Sequence, residues 1–166
     1  MMRDGGETPR WIERAANLVR YQDEAISFIA RASASMPADA EDVEAVCLLW
    51  EEADGLDRKV SEHFTALNEG LLDGRGQLDL TRGADMSQRS EVQGLLVYQC
   101  TWAFQWDDDR DISVVLAIEP KSKRFSAWVA AAGTETITLS VPIDDTGLEN
   151  ALAVAYYRAA TRSPRS

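Results

Sequence analysis

The chain has 166 residues, 45% hydrophobic and 27% charged, the mix of an ordinary globular domain. That length buries a real core without disulfide or metal staples. Seventeen Lys and Arg against 28 Asp and Glu leave a net charge of −11, which argues against a nucleic-acid binder or a protein held on an anionic membrane surface.

Residues 1–8 are polar and are expected to form a flexible arm. They contain no apolar h-region, so no signal peptide is expected, and no apolar run reaches the roughly 18 residues needed to cross a membrane. The cytoplasm is the expected compartment. Two cysteines, Cys47 and Cys100, make no disulfide framework. Each falls on the apolar face of its predicted element, where it reads as a reduced core residue.

Thr8-Pro9 has the form of a helix start, with Thr8 as cap and Pro9 in the first turn. From there to about residue 34, Trp11, Ile12, Ala15, Leu18, Val19, Ala25, Ile26 and Ile29 recur in steps that predict one buried stripe. Arg10, Arg14, Arg20 and Arg31 make the outer side mildly basic. Ser35-Met36-Pro37-Ala38 breaks this helix, and Asp39 can cap a second one that runs to Leu72. Its apolar positions, from Val43 through Val46, Trp50, Val60 and Phe64 to Leu71, follow a heptad seam interrupted by Asp57. A carboxylate facing that seam is costly unless paired, so Asp57 is expected at the seam's edge or as a register device in a larger assembly. Residues 9–72 therefore predict an antiparallel helical hairpin, basic first helix against acidic second.

Residues 73–91, with Gly74, Gly76 and Gly83, read as a linker in which Gln77–Thr81 could form a short edge strand. The Gly-x-Gly there lacks the Gly-Lys-Ser/Thr of a phosphate loop.

The stretch from Val92 to Trp106 alternates strictly. Its even positions, with Leu96, Tyr98, Cys100, Trp102, Phe104 and Trp106, make one apolar and aromatic face. Three further strands follow, on Ile112–Ile118, Phe125–Ala131 and Ile137–Val141. Directly opposed residues in an antiparallel pair share a face. Parity therefore pairs Phe104 with Ile112, Trp102 with Val114, Ile118 with Phe125, Leu116 with Ala127, and Val129 with Ile137. A slip of one residue would expose every apolar set. Thr146 and Glu149 fit a capping box for a last helix whose buried face is Leu148, Leu152, Ala155, Tyr156 and Ala159. Residues 162–166 read as a disordered tail. The predicted architecture is α+β: an N-terminal antiparallel helical hairpin, a four-stranded antiparallel β-meander, and a C-terminal helix packed on the sheet, with residues 92–161 as its second part.

No motif carries a catalytic constellation. Asp107, Asp109 and Asp111 have the spacing of calcium ligands, but an EF-hand loop would then need Gly and Glu where Ile112 and Ile118 stand. The run reads as a hairpin tip with a left-handed residue at Asp109. His63, the one histidine, has no nucleophile near it in sequence and reads as a helix-surface residue. No metal and no cofactor is expected. Lys121, Lys123 and Arg124 read as a soluble tip, with Arg124 paired to Glu119 across the strands.

Two surfaces are candidates for binding. On the mostly polar face of the sheet, Trp128 and Val115 lie together, with Leu95 and Val97 on the same side. Trp128 is either covered by the helical hairpin or offered to a partner. The anchor strand also lies at the edge of the predicted meander, open to strand addition or a dimer. The second surface is the carboxylate run Glu51, Glu52 and Asp54, which could imitate the charge of a nucleic acid before a basic protein. A third reading uses Tyr98, Trp102 and Trp106 as the wall of a small-ligand or enzyme pocket under the last helix, with Tyr156 or Tyr157 converging on it. The leading expectation is a non-catalytic acidic protein-binding module, an adaptor, inhibitor or chaperone-like protein that pairs with itself as a homodimer, with no direct nucleic-acid or membrane contact.

Overall fold

The computed structural model describes residues 8–32, 39–86 and 96–161. Two helices come first, α1 (Arg10–Ala32) and α2 (Ala40–Leu71). The strands follow as β1 (Gln77–Met86), β2 (Leu96–Trp106), β3 (Arg110–Glu119), β4 (Arg124–Ala131) and β5 (Ile137–Leu139), and α3 (Asp145–Thr161) closes the chain. The sheet is a five-stranded antiparallel meander in sequence order. The expected arm up to residue 7, the Ser35–Ala38 break and the 162–166 tail lie outside the described residues.

The three registers read from parity are the ones observed. Phe104 opposes Ile112, Ile118 opposes Phe125, and Val129 opposes Ile137. The even face of β2 is the core: Tyr98, Cys100, Trp102, Phe104 and Trp106 are all buried. Helices α2 and α3 share that face. Phe64 of α2 stacks on Phe104 at 5.0 Å, and Tyr156 of α3 stacks on Trp106 at 5.8 Å.

One element departs from expectation. The short edge strand offered at Gln77–Thr81 is there but runs on through Met86, so residues 77–86 are not linker but a full edge strand, which pairs with β2 along ten positions from Gln77↔Gln105 to Met86↔Leu96. The glycines before it form a tight helix-to-strand turn. Asp73 and Gly74 take positive φ, and the Gly74 N–H donates to the Asn68 carbonyl at 3.0 Å. The Asn68 side chain then brackets Gly76, accepting from its N–H at 2.8 Å and donating to its carbonyl at 3.2 Å. A Cβ on Gly76 would stand 2.1 Å from Cζ of Phe104, so close approach to the core requires glycine. The alternation of β1 was hidden by Arg82, a charged residue on its apolar face. Its guanidinium lies 4.0 Å over the Trp50 ring and reaches Glu24 at 2.9 Å, so the charge stacks on an aromatic face and is paired. With β1 in place, β2 is an interior strand rather than the expected edge.

The expected α2 cap stands, while those of α1 and α3 shift by a residue or two. Asp39 caps α2, its carboxylate accepting from Glu41 N–H at 2.8 Å. In α1 the Ile12 and Glu13 N–H groups donate to the Pro9 carbonyl, so Pro9 rather than Thr8 opens the helix. In α3 the cap is Asp144, which accepts from Gly147 N–H at 2.6 Å, rather than Thr146. At the β2–β3 tip the left-handed residues are Asp107 and Asp108, not Asp109.

Candidate interaction surface

Helix α2 is held to the sheet by two carboxylates as well as by its apolar seam. Trp102 Nε1 donates to Asp57 at 2.9 Å, and the Tyr98 hydroxyl donates to Asp42 at 2.6 Å. Both rings are fully buried. The polar interruption of the heptad seam is thus the partner of an indole N–H that would otherwise have none. Burial, and then the bond to Asp42, push the Tyr98 phenol well above its ordinary range. The aromatic face offered by the sequence as a pocket wall is engaged within the fold: Tyr98 and Trp102 are bonded to α2 and Trp106 is stacked on Tyr156.

Helix α1 lies along α2. Asn17 donates to Glu51 at 2.8 Å, and Arg14 sits 3.6 Å from Glu51 and 3.9 Å from Glu52. Tyr21 and Phe28 meet Trp50 edge-on at 5.9 and 5.5 Å. The Arg14 and Asn17 contacts break up the carboxylate run: Glu51 and Glu52 are partly buried and neutralised, leaving Asp54 exposed.

The apolar arc of α1 is wider than the fold uses. Tyr21, Ala25 and Ile29 are buried, with Leu18 and Phe28 packed beside them. The rest of the expected stripe faces outward: Trp11 is 71% exposed, Val19 72%, Ile26 40% and Ile12 39%. This corrects the expectation of a single buried stripe. Leu18-Val19 and Ala25-Ile26 each step 100° around the helix, so Val19 and Ile26 cannot share the face that Leu18 and Ala25 turn to the core. The exposed set has its own order. Ile12, Val19 and Ile26 recur every seven residues with Ala15 and Gln22 between them, an a/d seam with β-branched residues at a. Beside it runs a groove of about 490 Å³ between the helices. Leu18, Val19 and Ile26 form one wall, Val43 and Cys47 the other, with Gln22 and Glu44 as polar lining. Burial, and then Glu44, push the Cys47 thiol up, so it behaves here as an apolar wall.

The other expected surface is less open. Val97 and Val115 are buried and Trp128 is half-buried, while Leu95 lies outside the described residues. The helical hairpin does not cover Trp128, because α2 packs on the opposite face of the sheet through Phe64, Asp57 and Asp42. His63 is not a plain surface residue. Its Nε2 lies 3.4 Å from Asp145 at the start of α3, and Lys59 reaches the same carboxylate at 3.7 Å and the Ile143 carbonyl at 3.3 Å. Glu119 turns its carboxylate to the β3–β4 turn, accepting from Lys121 and Ser122 N–H at 2.7 and 3.1 Å. Burial alone would raise its pKa; the backbone donors, with the Ser122 side chain and Lys121, overcome that and hold it below the ordinary range.

Among the described residues no group of three or more His, Cys, Asp and Glu is placed to hold a metal ion, and no helix is long and apolar enough to cross a membrane. The architecture defines an α+β protein with one helix-covered sheet face and an unfilled groove on its helical hairpin. The chain matches no family model, no curated protein and no solved structure.

Proposed function

We propose that this is a non-catalytic protein-binding module that docks an amphipathic helix along the outer side of its helical hairpin. The observation that carries the reading is the second apolar stripe of α1, Ile12, Val19 and Ile26 with Trp11 beside it, exposed and continuous with the α1–α2 groove. Exposed apolar surface that follows a heptad repeat is what helix-in-groove recognition uses. The chemistry of the occupant follows from the rim. Asp23, Glu41 and Glu44 are exposed around the groove end of the hairpin, so the docked helix has an apolar a/d face and basic flanks.

The test is a fluorescence-anisotropy titration of the full chain. The probe is a labelled synthetic helix as long as α1, with isoleucine and leucine at a and d and lysine on its flanks. Saturable binding lost in Val43→Glu and kept in Trp128→Ala supports the reading. Absence of binding, or binding indifferent to Val43→Glu, refutes it.

A further inference from the structure

The groove does not have to wait for a foreign helix, because the chain carries a matching one in α1 itself. Trp11, Leu18, Gln22 and Ile26 stand at i, i+7, i+11 and i+15, so Trp11 lies on the same flank of α1 as the groove, about 22 Å from Ile26 along the helix. A two-fold axis perpendicular to two facing antiparallel helices preserves that flank and reverses the direction. We infer that two copies of this chain pair α1 against α1, antiparallel about a two-fold at Val19, and that each Trp11 seats in the other copy's groove between Ile26 and Val43. This deepens the helix-docking reading and rests on it.

Three features favour a second copy over an unrelated helix. The first is fit: with Val19 on the axis, Ile12 of one copy faces Ile26 of the other, and Trp11 comes level with the Ile26–Val43 part of the groove. One patch thus serves as both knob and socket, as an isologous interface requires. A groove of about 490 Å³ falls in the ~300–1,000 Å³ range that encloses organic groups of this kind.

The second is charge. The first half of α1 carries Arg10 and Arg20 against Glu13, with Arg14 turned to Glu51 and Glu52 of its own α2. Its second half and the first turn of α2 carry Asp23, Glu41 and Glu44 against Arg31, with Glu24 paired to Arg82 and Asp42 accepting from Tyr98. Antiparallel pairing lays each copy's basic end beside the other's acidic end. Parallel pairing would set like against like.

The third is area. Trp11, Ile12, Val19 and Ile26 expose on the order of 400 Å² per copy, so a pair removes roughly twice that from these side chains alone, and the remaining helix contact carries it toward the ~1,200–2,000 Å² of a stable dimer.

The test uses cysteine cross-linking of the full chain under mild oxidation, with sedimentation velocity on the unmodified protein. The native cysteines are both buried and free. Val19→Cys, on the axis, should give a disulfide-linked dimer. Ile12→Cys alone should link roughly tenfold more slowly, since a disulfide needs Cα atoms within ~7 Å. A mixture of Ile12→Cys and Ile26→Cys chains should link as readily as Val19→Cys. The unmodified protein should sediment at twice 18.4 kDa, and Trp11→Ala should weaken the dimer roughly 30-fold, as truncating an aromatic anchor seated in a pocket does. Rapid self-linking of Ile12→Cys would overturn the proposal in favour of parallel pairing. A dimer that survives Val19→Glu would overturn it in favour of another surface, such as the β1 edge. A protein that stays at 18.4 kDa at every concentration overturns it outright. If that monomer still binds the basic synthetic helix through Val43, the helix-docking reading stands without the dimer; if it binds nothing, both fall.

Discussion

Asp57→Ala tests how the hairpin is fastened to the sheet. Trp102 is fully buried, and its Nε1 has Asp57 as partner at 2.9 Å. A hydrogen bond to a charged group contributes about 1.5–3 kcal/mol net. Asp57 itself stands at the exposed edge of α2, so water can follow the truncation and recover part of the loss, which brings the expected cost to about 1–2 kcal/mol. At a urea m-value of about 1–3 kcal/mol/M, the midpoint should fall by on the order of 0.5–1 M. The assay is urea unfolding followed by tryptophan fluorescence, with equal m-values required before midpoints are compared. Asp57→Asn keeps an acceptor oxygen and should cost clearly less. Asp54→Ala, an exposed carboxylate one turn away, should stay within about 0.5 kcal/mol. If Asp57→Ala and Asp54→Ala unfold together, the carboxylate is a solvated surface group and the reasoning about the seam fails.

Three further outcomes follow from other parts of the fold. Gly76→Ala should lose roughly 1–3 kcal/mol by forcing its Cβ into Phe104, whereas Gly55→Ala, mid-helix with open space around it, should gain up to about 1 kcal/mol; thermal melts read both. Because the folded-state pKa of Glu119 is lowered, its contribution is present above the unfolded pKa and lost as pH falls through the folded value. The stability gap between the protein and Glu119→Gln, measured by urea titration at neutral pH and again at about pH 3, should therefore shrink in acid; a gap that widens in acid contradicts the sign. Burial pushes the Cys100 thiol up to about 12, leaving on the order of 10⁻⁴ of it as thiolate at pH 8. Iodoacetamide followed by mass spectrometry should then find Cys100 unmodified until urea unfolds the chain, and alkylation of the folded protein would show the strand open.

The sheet was legible because parity allows no compromise. The aromatic run from Leu96 to Trp106 has one apolar face, and every partner strand must present its own apolar set opposite it, which settles three registers without knowledge of the helices. Strand β1 escaped because Arg82 occupies a core-side position, and only the structure supplies the Trp50 ring and Glu24 that make it tolerable there. Gly74 and Gly76 signalled a loop, but a tight turn and a linker have the same composition. The proposed docking surface was half legible. Trp11, Ile12, Val19 and Ile26 were visible as apolar helix positions, but periodicity cannot divide a wide apolar arc between a core and a partner. That division depends on where α2 and the sheet stop, which is a tertiary fact.

Amide hydrogen exchange decides whether the outer side of α1 and the α2 wall beside it form a surface for a helix, as proposed. The full chain is compared with and without saturating basic synthetic helix. Helix docking should slow exchange at α1 from Trp11 to Ile26 and at the start of α2 around Val43 and Cys47, with β3 and β4 unchanged. Protection that appears instead on the strands around Thr101, Val115 and Trp128, with α1 and α2 exchanging as before, would contradict it.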